Sequence, residues 1–271
     1  MVNVIIVSNE KGGIGKTTIA STLASMLASD SHEKLEGKYK RKAEKVLLVD
    51  ADLQGNSTFY LTRQLRAAFE GRSLIEAIAE EDATDYIVEV TEHLHVLPSS
   101  SKVAMFDAQF AKYRDQIEEP AKWLERTLET VAHNYDWLIV DTSPSLTELQ
   151  LQTFNISFGG DTNVLIPMQT ERFGFHSVQQ FSDTLTPVNQ HTNPNLVVLG
   201  VVPVLTDGTA VDKNIMLEAE AAFGDLLFKT IIKRRAGIKR MVDTGFSEHY
   251  AKEREALQDF YDLLLEVKEN V

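Results

Sequence analysis

Lys11-Gly12-Gly13-Ile14-Gly15-Lys16-Thr17-Thr18 places three glycines, two lysines and two hydroxyls in eight consecutive positions. Glycines let successive backbone N–H groups face a single anion without interference from a Cβ, and a helix N-terminus adds unpaired donors and partial positive charge. A set of this kind binds phosphate when it follows a strand and opens a helix. Both flanks are present. Val2, Val4, Ile5 and Ile6 predict a buried strand ahead of the glycines. Ile19, Leu23 and Leu27, with Ala20, Ala24 and Ala28, follow the i, i+4, i+8 rows of a helix packed on a sheet. In such a loop Lys16 reaches the β- and γ-phosphates of a nucleotide and the Thr17 hydroxyl binds Mg²⁺.

The general pattern G-x-x-x-x-G-K-S/T fails at its first glycine, where the chain has Glu10, and an extra lysine, Lys11, stands before the paired glycines. The variant K-G-G-x-G-K-T resembles the deviant Walker A motif of the ParA/MinD ATPases. At ordinary residue frequencies its six fixed positions coincide by chance on the order of once in 10⁷ starting points. The resemblance implies an α/β fold: an open, mostly parallel, twisted sheet with helices on both faces. It also implies that Gly12 to Thr18 bind ATP with Mg²⁺ and that Lys11 reaches the nucleotide of a second copy.

Three later segments carry the same resemblance. Lys45 to Val49 read as a buried strand, and Asp50-Ala51-Asp52-Leu53-Gln54-Gly55-Asn56 at its carboxyl end is similar to the family's D-x-D-P-Q-G-N, with Leu53 for proline. The carboxyl ends of parallel strands are where ligands bind. By resemblance Asp52 orients or activates the attacking water and Asp50 lies near the metal shell. In Tyr135 to Asp141, the apolar run Trp137 to Val140 ends in Asp141, the arrangement in which a strand fixes a carboxylate that holds Mg²⁺. Thr142-Ser143-Pro144-Ser145 then resembles the family's D-T-P-P-S switch, with Ser143 for the first proline. Asn163 to Glu171 resemble a strand ending P-x-Q-x-E. Where the family commonly shows D-x-R-T, the chain has Asp207-Gly208-Thr209-Ala210; the arginine is missing, and Asp207 is kept as a base-side contact.

Composition sets the outer bounds. The 271 residues are 43% hydrophobic and 25% charged, which suits one globular domain over 1–271. With no cysteine, disulfides, Cys-ligated zinc and iron–sulfur clusters are excluded. The chain enters a strand at once and holds no run of membrane-spanning length, so the expectation is a cytoplasmic protein. His93 and His95 are expected to be ordinary strand residues, because no carboxylate or cysteine accompanies them at metal spacing.

The net charge of −13 is unevenly spread. Residues 229–240 carry six basic side chains and no acid; residues 31–45 carry six basic and three acidic ones. The second of these reads as a charged, solvated surface insertion (30–45). In partition relatives the region matching the first holds double-stranded DNA non-specifically. Lys233, Arg234, Arg235, Lys239 and Arg240 are therefore expected to meet phosphates through charge alone, after a short strand over Leu226–Ile232. Aromatics for base stacking are missing from the patch, so no sequence readout is expected.

Residues 58–80 read as helical, with Ser73 and Glu76 spaced as a capping box. Residues 102–134 read as one or two amphipathic helices. The tail, residues 250–271, has an apolar helical stripe (Leu257, Phe260, Tyr261, Leu264, Val267) but three basic and six acidic side chains. Anionic lipid would repel such a helix, so it is expected to pack on the body and no membrane partner is expected.

No helix-turn-helix segment precedes the loop, which places the chain beside the small, Soj-like ParA partition ATPases. That resemblance implies an ATP-driven homodimer on the nucleoid, slow hydrolysis, and a ParB-like centromere-binding protein that stimulates it. The alternative is a MinD-like membrane-cycling ATPase. A dethiobiotin-synthetase-like ligase or an arsenite-pump ATPase shares the nucleotide fold, but lack of cysteine and of a histidine cluster counts against metal handling.

Overall fold

The computed structural model describes residues 1–206 and 208–271. Their strands are β1 (Asn3–Val7), β2 (Val46–Ala51), β3 (Val88–Glu89), β4 (Leu94–Leu97), β5 (Trp137–Thr142), β6 (Thr162–Gln169), β7 (Leu196–Thr206) and β8 (Ile232–Lys233). They join in one sheet in the order β3-β4-β2-β5-β1-β6-β7-β8. Every pairing is parallel except that of β3 with β4 at the edge. Parallel strands need crossovers, and these put helices on both faces. That is why β1 reads as a continuous apolar run: Val4, Ile5, Ile6 and Val7 are all fully buried. Val4 and Ile6 point into one core, Ile5 and Val7 into the other.

The first core is covered by α3 (Leu74–Glu80), α4 (Phe106–Tyr113), α5 (Trp123–Ala132), α6 (Glu148–Phe154), α7 (Arg172–His191) and α8 (Ala210–Phe223). The second is covered by α1 (Lys16–Leu27), α2 (Asn56–Thr62), α9 (Ala236–Thr244) and α11 (Gln258–Asn270), with α10 (Ala251–Ala256) packed on α9 and α11. Ser73 and Glu76 form the expected capping box at the start of α3. The helical stretch expected over 58–80 is broken, because Arg63 takes a left-handed backbone (φ 62°) that ends α2. In 102–134, Phe106, Phe110 and Trp123 are core, with the rings of Phe106 and Phe110 stacked 5.9 Å apart beside Trp123, whereas Tyr113 is exposed. His95 is a strand residue whose Nδ1 lies 2.7 Å from the Tyr135 hydroxyl.

Two regions differ from expectation. The segment 31–45 is anchored, not merely solvated. Arg41 donates through Nε to the Met26 carbonyl (2.8 Å) and through Nη2 to Glu248 (2.7 Å), and both members of that ion pair are about 7% exposed. Counting charges hid this, because one buried arginine and Tyr39, packed on Tyr261, do the anchoring. The short strand expected over Leu226–Ile232 is only a bridge between Val201 and Leu227, followed by β8 at Ile232–Lys233. In the tail, Leu257, Phe260, Leu263, Leu264 and Val267 are buried in the second core.

Candidate active site

The turn from β1 into α1 has a left-handed backbone at Gly13 (φ 74°) and Gly15 (φ 88°). A Cβ at either would have no neighbour within 4 Å, so glycine is required there by conformation, and the concave side of the loop is open. No side chain caps the N-terminus of α1 and its first turn holds no acid. The free amide donors therefore face the loop, as an anion site requires. Asn9 shapes the entry: its Oδ1 accepts from the Lys11 amide (3.1 Å) and its Nδ2 donates to the Pro167 carbonyl (2.8 Å).

The two lysines diverge. Lys16 folds into its own loop, where Nζ donates to the carbonyls of Asn9 (2.9 Å) and Lys11 (3.0 Å). Burial lowers its pKa, and the carboxylates of Asp141 and Asp52 work against that shift. Lys11 turns away from the loop and pairs with Glu171, the residue just before α7.

The carboxyl ends of β2 and β5 bring the acids together, with Asp50 opposite Asp141 in the register. Asp141 is fully buried. Its Oδ2 accepts from the Ser57 hydroxyl (2.8 Å), its Oδ1 has no hydrogen-bond partner, and the nearby Thr17 side chain works to lower its pKa. A buried carboxylate oxygen without a donor, beside a threonine hydroxyl, is a hard-oxygen set that fits Mg²⁺. Asp50 is arranged differently. Its Oδ2 accepts from the Thr58 amide (2.7 Å) and hydroxyl (2.6 Å), and its Oδ1 from the Asp52 amide (3.2 Å). Each oxygen already accepts at least one donor, so Asp50 holds the start of α2 against the end of β2. Asp52, also buried, accepts from the Gln54 amide through Oδ1 (2.9 Å); burial raises its pKa, and that bond and the Lys16 cation oppose the rise.

Burial pushes the Asp50 carboxyl up to about 7, and burial with repulsion from Asp50 pushes Asp141 to about 8. Raised carboxyl pKa values mean the fold binds these protons more tightly than the unfolded chain does. Stability from this pair is full below about pH 4 and falls as pH rises towards 8. The nucleotide-free chain is expected to lose melting temperature between pH 5 and 8. Asp141→Asn should flatten that slope and raise Tm at pH 8 by about 2–6 °C, measured by calorimetry; an unchanged slope would assign the loss to other groups.

Sequence reasoning missed Ser57, which links α2 to α1 through Ser21 (2.9 Å) as well as to Asp141. It also missed Arg66, which packs on Gly55 and whose charge acts on Asp52. Serines and arginines outside a motif give no pattern signal. Pro144, the proline kept in the switch, lies 3.8 Å from where a Cβ on Gly12 would sit. Asp207 lies outside the described residues; Thr209 after it caps α8, with Asp212 completing a capping box.

Residues 2–198 match the AAA domain family. The chain is 31% identical over 247 residues to the sporulation initiation inhibitor protein Soj of Bacillus subtilis, covering 90% of this chain and 89% of that one. This chain belongs to the ParA/MinD family. A second ParA/MinD-type relative, the chromosome partitioning protein ParA of Myxococcus xanthus, is 29% identical over 245 residues (89% of this chain, 79% of that one). Among solved structures, cobyrinic acid a,c-diamide synthase from Mycobacterium smegmatis with bound ADP and magnesium superposes with a TM-score of 0.76 at 26% identity, covering 99% of this chain and 96% of that one. The ParA/MinD nucleotide fold thus extends to a protein named for small-molecule chemistry, and fold alone does not choose the reaction.

The basic stretch of this ParA/MinD-family chain lies on β8 and α9. Lys233, Arg234, Lys239 and Arg240 are exposed. Arg235 is turned inward: its Nε and Nη2 donate to Asp259 at 3.0 and 2.9 Å, which ties the start of α9 to α11. Its neighbours in sequence face solvent while it turns inward, a distinction that a run of basic letters does not carry.

Proposed function

We propose that the chain is a partition ATPase, which binds ATP with Mg²⁺ and holds DNA non-specifically as an ATP-bridged dimer. Gly12 to Thr18 cradle the phosphates, Lys16 meets the β- and γ-oxygens, and Thr17 with Asp141 hold the Mg²⁺, which neutralises charge on those oxygens when bound. Asp52 orients the attacking water, and Asp50 fixes the loop that carries it. The observation that carries the reading is the divergence of the lysines: Lys16 serves its own loop, while Lys11 leaves it for Glu171 at the rim. A lysine so placed is free to serve the nucleotide of a second copy once Glu171 releases it. That pair is only half-buried and contributes on the order of 1 kcal/mol, as a partly solvated ion pair does, so release is cheap. In the closed dimer each Lys11 supplies positive charge where the transferring phosphoryl group spreads its negative charge.

Pairing two subunits doubles the basic surface, so DNA affinity depends on nucleotide state and falls steeply with salt. A ParB-like centromere-binding protein stimulates an otherwise slow hydrolysis, and the ATP-bound form sits on the nucleoid. A gel shift on random-sequence duplex with ATP, ADP or no nucleotide tests this. A shift with ATP alone is expected. Lys239→Glu with Arg240→Glu should weaken it at least about tenfold and reduce the salt slope, with ATP binding intact. Retention by that variant would move the DNA site elsewhere, and nucleotide-indifferent binding would sink the reading. A small-molecule ligase would turn over without DNA or protein, so a DNA-stimulated rate separates the two. Nothing favours the membrane-cycling alternative, because the apolar side chains of α11 are already in the core.

A further inference from the structure

The segment 31–45 has no part in the chemistry above, yet a buried ion pair and a main-chain bond fix it in place. Between it and α11 lies a groove of about 330 Å³. Half-buried Tyr39 and Leu265 give it an apolar floor, backed by the buried Tyr261 and Leu264, with the two tyrosine rings 5.7 Å apart. Its lining holds five cations against one carboxylate, Glu44, on a chain whose net charge is −13.

Those cations differ in how firmly they are engaged. Arg41 is committed inward to Glu248. Lys38 and Lys268 sit in partly exposed pairs with Asp262 and Glu44. Lys40 donates to the Glu33 carbonyl (3.2 Å), and Lys42, 91% exposed, lies 3.6 Å from Asp30. Exposed pairs of this kind are worth about 0–1 kcal/mol, so a ligand carboxylate replaces their partners at little cost.

We infer that this groove docks an acidic, amphipathic peptide segment of a protein partner. An apolar side chain of the peptide rests on the floor, and its carboxylates meet Lys40 and Lys42 at the rim. Peptide is favoured over duplex DNA because a phosphate backbone has nothing to place on an apolar floor. Location sets a further property. The segment leads into the amino end of β2, whereas the phosphate loop and the acids lie at carboxyl ends. The groove is therefore remote from the nucleotide, and its affinity is the same with and without ATP, unlike that of the DNA patch.

The test is fluorescence anisotropy of the full chain with a short fluorescein-labelled synthetic peptide, Leu and Phe at i, i+3 and i+4 in a glutamate background. Saturable binding is expected, unchanged by ATP and weakened about tenfold or more in the Lys40→Glu, Lys42→Glu double variant. Both lysines are exposed, so this variant should fold as the parent does. A peptide with its glutamates replaced by lysine should not bind. Failure to saturate, or equal binding by the double variant, would overturn the assignment. So would random duplex DNA that loses its own binding on the same charge reversal while leaving the peptide undisplaced.

Discussion

Lys16→Ala is expected to remove ATP binding, with an affinity loss of about 2–5 kcal/mol, or roughly 30- to 5,000-fold. Two effects combine. The variant lacks the cation that meets the phosphates, and it also lacks the two hydrogen bonds by which Nζ ties the carbonyls of Asn9 and Lys11 together. A loop without that tie has to be ordered by the ligand itself, which costs further affinity. Lys16 also opposes the upward shift of Asp52, so its loss disfavours the ionised form of the water-orienting group. Effects at Lys16 and Asp52 are therefore not additive. Equilibrium titration with a fluorescent ATP analogue measures the loss; affinity within threefold of the parent would mean that another cation holds the phosphates.

The second large effect is expected at Asp52. Asp52→Ala should lower kcat by roughly 10²–10⁴-fold, the range over which a positioned acid or base contributes, and leave ATP affinity within about twofold. Asp52 is suited to that division of labour. One oxygen accepts from the Gln54 amide, which fixes the carboxylate, while the adjacent Asp50 spends its own oxygens on Thr58 and the Asp52 amide. The variant should accumulate as an ATP-bound dimer that hardly turns over. Single-turnover hydrolysis and nucleotide retention on the protein read the two halves separately. Unchanged turnover would pass the role to another group, and Arg66, lying over Gly55 beside it, would be the first to examine.

What was legible in the sequence follows a physical line. The parallel sheet could be read because buried strands announce themselves as unbroken apolar runs, and β1, β2 and β5 each end in chemistry-bearing residues where ligands bind. Gly13 and Gly15 could be read because only a left-handed backbone makes glycine obligatory at both. Contacts between distant segments could not. Nothing in Lys11 or Glu171 alone says that they meet, and they are 160 residues apart. The same holds for Arg41 with Glu248 and for Arg235 with Asp259: long, polar side chains whose partners are set by tertiary packing, not by any period along the chain. Asp50 illustrates a subtler limit. The family motif places it among the metal-site acids, but the register of β2 on β5 and the start of α2 decide which of two neighbouring carboxylates keeps an oxygen unpaired, and it is Asp141.

The central claim is that ATP joins two copies of this chain through Lys11. Sedimentation velocity of the parent and of Lys11→Ala, each with saturating ATP and Mg²⁺, tests it most directly. The account predicts a dimer for the parent and a monomer that still binds ATP for the variant. A variant that dimerises on ATP as the parent does would contradict it.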